Sequence, residues 1–231
     1  MAETNKDKWC FAWAAALQAS AGKSRAALVK AARWNPGDVI TVCFLDGDSG
    51  LQERVRAAAK KWVGDDMANL RFSFQKKTDA LIRISFNLRG SWSTIGTTCR
   101  NVDKSRPTMN FGWLTPASSD KEMRRVVLHE FGHALGLIHE HQSPAGGIDW
   151  NREQVKADLS GPSHYWTAKQ IQTNMFNVSK KSETNFTKFD KDSIMLYPIP
   201  ARWTNDGFSS VLNTKLSPSD IRFIRKQYPH F

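Results

Sequence analysis

The sequence predicts an α+β fold. We expect strands and one long helix over about residues 34–138, and a loop-rich remainder, about 139–231, closed by a C-terminal helix. Three observations lead there. Runs with strand character all fall before residue 115, a helical run spans Lys121 to Ile138, and clusters of Gly, Pro and Ser dominate after His141. The 231 residues suit one sizeable domain or two small lobes sharing a cleft.

Residues 34–38 (WNPGD) form a turn, and 39–45 (VITVCFL) is β-branched and apolar throughout, as a buried strand is. After the turn 46–50 (DGDSG), Leu51, Val55, Ala58, Ala59 and Trp62 fall on one helical face. Residues 70–74 and 81–86 alternate apolar and polar side chains, as half-buried strands do. Strand, long helix and strand in succession predict a crossover to a parallel neighbour. Trp92–Thr98 and Thr108–Leu114 read as two further short strands. Ser118, Ser119 and Asp120 offer capping oxygens to the helix that follows. In the lower half we expect a short helix over Ala168–Met175, a lead-in over Asn185–Asp190, and a last helix over Asp220–Gln227 behind the start signal 217–220 (SPSD).

Four of the six histidines lie between His129 and His141, a stretch that begins H-E-x-x-H. Positions i and i+4 share a helix face, so the rings of His129 and His133 can converge on one ion, and imidazole is a preferred zinc ligand. Glu130 stands beside the first ligand, where its carboxylate can act on a water without being a ligand itself. A third ligand is missing if the helix simply continues. Gly136 can take the left-handed conformation that ends a helix, and the turn would return His139 to the ion. Three nitrogens with an open fourth position is the ligand count of a single catalytic Zn2+ ion. The five specified positions arise by chance in a chain this long on the order of once in 10^5.

The string H-E-x-x-H-x-x-G-x-x-H resembles the metzincin signature, and Glu140 after the third histidine resembles the astacin branch. Residues 193–197 (SIMLY) are similar to its methionine turn, S-x-M-x-Y. Residues 82–86, 90–96, 108–114 and 216–220 look like segments of bacterial and fungal astacin-like zinc metallopeptidases, so the resemblance covers about residues 34–230. It implies a metzincin-type fold, with a twisted mixed sheet and the active-site helix in an upper lobe (about 34–138) and a loop-rich lower lobe (about 139–231), and a zinc endopeptidase acting on proteins or peptides. It implies that Met195 packs beneath the ion and that Tyr197 approaches the oxyanion, although a buried structural phenol is the alternative for Tyr197. Glu140 either interacts with a mature N-terminus, as the resemblance implies, or pairs with a basic residue or orients its loop. His141 is read as a loop or supporting histidine. The resemblance also implies an edge strand that binds substrate backbone. Thr108–Leu114 is the candidate by position, which makes Asn110, Phe111, Gly112 and Trp113 substrate-binding candidates. Leu196 departs from the histidine common in animal members, and the pro-segment motif F-x-G-D is absent.

The net charge of +11, from 33 basic and 22 acidic residues, is spread along the chain without a dense basic run, so we expect no specific nucleic-acid partner. No stretch reaches the ~18 apolar residues of a membrane span, and we expect a monomer. Most of the nine tryptophans should be core. Cys10, Cys43 and Cys99 make no disulfide framework. Residues 1–33 form an N-terminal extension. Its apolar run 9–17, followed by Ala19-Ser20-Ala21, resembles the end of a secretory signal, but Glu3 and Asp7 cancel Lys6 and Lys8. A helix packed on the domain and a pro-segment are the alternatives. In the last case the Cys10 thiolate would take the open metal position; otherwise Trp9, Phe11 and Trp13 pack against the domain and Cys10 is a small buried side chain.

Overall fold

The computed structural model describes residues 31–162, 164–179 and 188–231, and the backbone of 10–13. Its described strands form one six-stranded mixed sheet: β1 (Cys10–Trp13), β2 (Val39–Phe44), β3 (Arg71–Phe74), β4 (Ile82–Ser85), β5 (Ser91–Thr94) and β6 (Met109–Phe111), in the order β1-β5-β6-β4-β2-β3. Strands β3, β2, β4 and β6 run parallel. β5 is antiparallel to β6, and β1 pairs parallel to β5. The helix α1 (Ser49–Ala59) makes the expected crossover between β2 and β3. It starts two residues before Leu51, because Asp48 Oδ1 accepts from the free N–H groups of Gly50 and Leu51.

The long helix α2 (Asp120–Ala134) begins at the Ser119 cap, whose Oγ accepts from Glu122 N. It ends four residues short of Ile138. Gly136 takes φ +94°, a conformation that costs other residues energy, and the chain turns away there. The carbonyls left over at the helix end are satisfied from distant parts of the chain. Trp34 Nε1 donates to Ala134 O at 2.9 Å, and Tyr228 Oη donates to Leu135 O at 2.7 Å. Trp62 Nε1 reaches Leu128 O at 2.9 Å, and Phe72 packs edge-on against Phe131 at 5.1 Å between ring centres. All four aromatic anchors, Trp34, Trp62, Phe72 and Tyr228, are buried, so the helix is clamped between the sheet and the C-terminal segment.

Two expectations need correction, and one helix is an addition. The strand from Trp92 stops at Thr94; Gly96–Asn101 is a 3-10 helix, anchored where Thr97 N donates to Ala32 O. The lower half holds a helix that periodicity did not reveal, α3 (Arg152–Ser160), because it buries only Val155 and Leu159. Residues Cys10–Trp13 form a strand, not a helix: the segment contains a single alanine, and two aromatics suit a pleated surface. The rest of the apolar run 9–17, the triplet Ala19-Ser20-Ala21, and Asn185–Thr187 of the expected lead-in lie outside the described residues. The short helix α4 (Ala168–Ile171) continues as a π-helical turn, Gln172–Phe176, and α5 (Pro218–Gln227) closes the chain behind a capping box of Ser217 and Asp220. Among the described residues, no helix is long and apolar enough to cross a membrane.

Candidate active site

His129 and His133 project from the last two turns of α2, and the turn at Gly136 returns His139 to them. Their ligating atoms all lie within 4.8 Å of one another, and all three residues are buried. Each outer ring nitrogen faces an acceptor: His129 Nδ1 meets Ile194 O at 2.8 Å, His133 Nδ1 meets Leu137 O at 2.8 Å, and His139 Nδ1 meets Gln142 Oε1 at 3.3 Å. A carbonyl oxygen can only accept, so these nitrogens carry the protons and the Nε2 lone pairs are left pointing inward. His133 Nε2 and His139 Nε2 then face each other at 3.1 Å, and His129 Nε2 is buried with no hydrogen-bond partner. Lone pairs set together in a buried site need a cation. Tetrahedral zinc with Zn–N bonds of about 2.0–2.1 Å places its nitrogens about 3.3 Å apart, so the residues fit the ion. Burial drives His133 down to about 4, and burial reinforced by neighbouring rings holds His129 and His139 well below the usual histidine range. The rings stay neutral, which is the ligating form.

Glu130 is fully buried beside the first histidine. Met195 lies beneath the helix: a Cβ added at Gly132 would meet Met195 Sδ at 2.4 Å, so the glycine makes room for the methionine turn. The Tyr197 ring lies 4.1 Å from that of His139, centre to centre, and 5.0 Å from that of His141. Glu140 accepts from Asp190 N at 2.9 Å, and its own N–H donates to Met195 O at 3.0 Å. Burial pushes the Glu140 carboxyl up to about 7. His141 bonds Asn174 O at 2.7 Å and stacks on His139, with ring centres 5.4 Å apart. The structure therefore brings Glu130, Gly136, Glu140, Met195 and Tyr197 around the three histidines.

Asn110, Phe111, Gly112 and Trp113 do not form an edge. β6 lies inside the sheet between β4 and β5, because β5 turns back and pairs on its other side. Asn110 and Phe111 are fully buried. Asn110 Nδ2 instead holds the carbonyls of Leu88 and Gly90, at 2.8 and 2.5 Å, while the Trp113 indole donates to Glu122. Two site residues escaped the sequence reading. Asp220 accepts from Ser193 Oγ, Ile194 N and Ser217 N, tying the methionine turn to α5; its one sequence signal is the SPSD helix start. Gln142, three residues past the third histidine, had none.

A buried three-histidine site at the end of a glycine-terminated helix, with a methionine turn below it, is the architecture of metzincin-type zinc hydrolases. The profile of the family Astacin (Peptidase family M12A) matches residues 27–228, and the chain belongs to this family. Its fold is similar to two solved structures. "Structure of myroilysin" has a TM-score of 0.85 and 38% identity, covering 88% of this chain and 98% of that one. "Crystal structure of myroilysin" has a TM-score of 0.71 and 34% identity, covering 98% and 93%. A curated relative, zinc metalloproteinase nas-23 of Caenorhabditis elegans, is 29% identical over 146 residues, 61% of this chain. The match spans 23% of the nematode protein's length.

Proposed function

We propose that the protein is a zinc-dependent endopeptidase that hydrolyses peptide bonds in protein or peptide substrates. The observation that carries this reading is the convergence of three buried Nε2 atoms whose outer nitrogens are all fixed by acceptors. A zinc ion held by His129, His133 and His139 supplies Lewis-acid chemistry, polarising a carbonyl and making water a stronger acid. Glu130 takes the proton that the attacking water gives up and delivers it to the leaving amine, base and acid in turn. The Tyr197 phenol, held against His139, donates to the oxygen on which negative charge develops. Met195 and Gly136 shape the floor and the turn, and Glu140 joins the third ligand to the methionine turn.

The substrate strand in this reading is β5. It runs antiparallel to its sheet neighbour β6, and α2 packs alongside it. Main-chain pairing along such an edge is a general way to hold an extended peptide. Residues Cys10–Trp13 lie on that edge, in register with Ser91–Thr94, and this position supports reading the N-terminal extension as a segment that competes with substrate. The Cys10 side chain lies outside the described residues.

The test of the reading is casein cleavage with and without a zinc chelator. Activity that disappears on chelation and returns with one equivalent of zinc is expected; cleavage by zinc-free protein at the native rate would exclude a metallopeptidase.

A further inference from the structure

The three candidate ligands are not supported alike. His129 and His133 each donate to a main-chain carbonyl, whereas His139 meets a side chain, Gln142 Oε1, at 3.3 Å. Main-chain acceptors come with the fold; this one depends on a single amide and on what holds that amide. Gln142 is only 7% exposed. Its Nε2 donates to Thr173 O at 2.9 Å and to Asn177 O at 3.4 Å. Both partners are carbonyls, so Nε2 must be the end that faces them and Oε1 the end left for His139. The same segment is tied a second time, because Ser179 N donates to Gln142 O at 2.9 Å. It is tied a third time where His141 meets Asn174 O. The backbone between these contacts is the π-helical turn Gln172–Phe176, a rare conformation that recurs at functional sites.

We propose that Gln142 is a positioning residue for the metal centre: seated on the π-helical turn, it fixes the tautomer and ring orientation of His139. The inference rests on the zinc reading above. Groups that orient a ligating histidine in this way commonly change metal affinity by about 10–100-fold when removed. A purely structural role, with Gln142 only bracing the turn, makes different demands on the substitutions below.

The experiment measures zinc affinity by competition with a zinc-binding dye, independently of peptidase activity, on four full-length chains. Urea unfolding of the zinc-free proteins runs in parallel. Gln142→Met keeps the bulk but neither accepts from His139 nor donates to the turn. Gln142→Glu still accepts from His139 Nδ1, but sets a carboxylate against the Thr173 and Asn177 carbonyls. Gln172→Ala removes the Gln172 Nε2 to Asn177 Oδ1 bond of 2.8 Å and so loosens the same turn without touching His139. We expect about 10–100-fold weaker zinc binding in Gln142→Met, with smaller losses in Gln142→Glu, which keeps the acceptor, and in Gln172→Ala, which keeps the amide. The proposal is overturned if Gln142→Met keeps wild-type affinity or does not fold. It is equally overturned if Gln172→Ala loses as much zinc as Gln142→Met, or if folded Gln142→Glu is as weak. A wild-type chain that binds no zinc would instead contradict the functional reading.

Discussion

At the scale of single residues, the site divides into atoms that hold an ion and atoms that move charge. The proposed mechanism puts Tyr197 in the second group. Its ring is buried against His139, and its phenol is assigned to a contact that forms only as the carbonyl oxygen becomes negative. Tyr197→Phe keeps the ring packing and removes that contact, so kcat should fall while KM stays near wild type. Loss of one such donor typically costs about 10²–10³ in rate. Steady-state kinetics on a short peptide decides this, and a wild-type kcat would remove Tyr197 from the chemistry. The histidines and Glu130 could be read from the sequence because helical spacing is local and Gly136 marks the one turn that departs from it. Gln142 could not. Its partners lie some thirty residues on, at Thr173 and Asn177, and no local pattern encodes that meeting.

Among the elements, the methionine turn shows how support reaches the metal from outside the histidine helix. Asp220 on α5 accepts from Ile194 N, and Ile194 O in turn accepts from His129 Nδ1. Asp220→Asn places an amide where three donors converge, losing at least one bond. Leaving a buried donor unsatisfied costs about 1–3 kcal/mol. Urea unfolding should show a loss of that size together with weaker zinc binding; unchanged stability and affinity would uncouple α5 from the site. A second element-scale prediction concerns pH. Burial of Asp158 on α3 works against ionisation. Hydrogen bonds from Trp203 Nε1, Gln154 Nε2 and Arg202 Nε outweigh it and hold the carboxyl below the usual aspartate value of 3.8. The folded-state value is depressed, so the stabilisation is present above 3.8 and is lost as pH falls through the folded value. Asp158→Asn should therefore lose stability less steeply than wild type as pH falls from 3.8 towards the folded value; parallel acid profiles would contradict the assignment. Neither α3 nor its aspartate was legible, because a helix that buries only Val155 and Leu159 leaves almost no periodic trace.

For the whole molecule, the decisive feature is strand order. The β2–α1–β3 crossover followed from sequence because a parallel pair requires a long connection. The position of β6 did not, since strand neighbours are set by pairings between distant segments: the run at Met109–Phe111 looks the same inside a sheet as at its edge. The outermost place belongs to β1, which lies along β5. If β1 competes with substrate there, a chain beginning at Ala31 should stay folded and cleave extended peptides faster, mainly through a lower KM. An equally active truncated chain would show that β1 does not block β5, and an unfolded one would make the segment part of the core.

The central claim is that ligation and proton transfer are separate tasks of adjacent residues, His129 and Glu130. Zinc content and peptide turnover of Glu130→Gln, measured on the same sample, test it most directly. We expect one zinc per chain, as in wild type, with turnover reduced by about 10²–10⁴, the usual contribution of a general acid–base group. Loss of zinc in parallel with activity, or turnover at the wild-type rate, would contradict it.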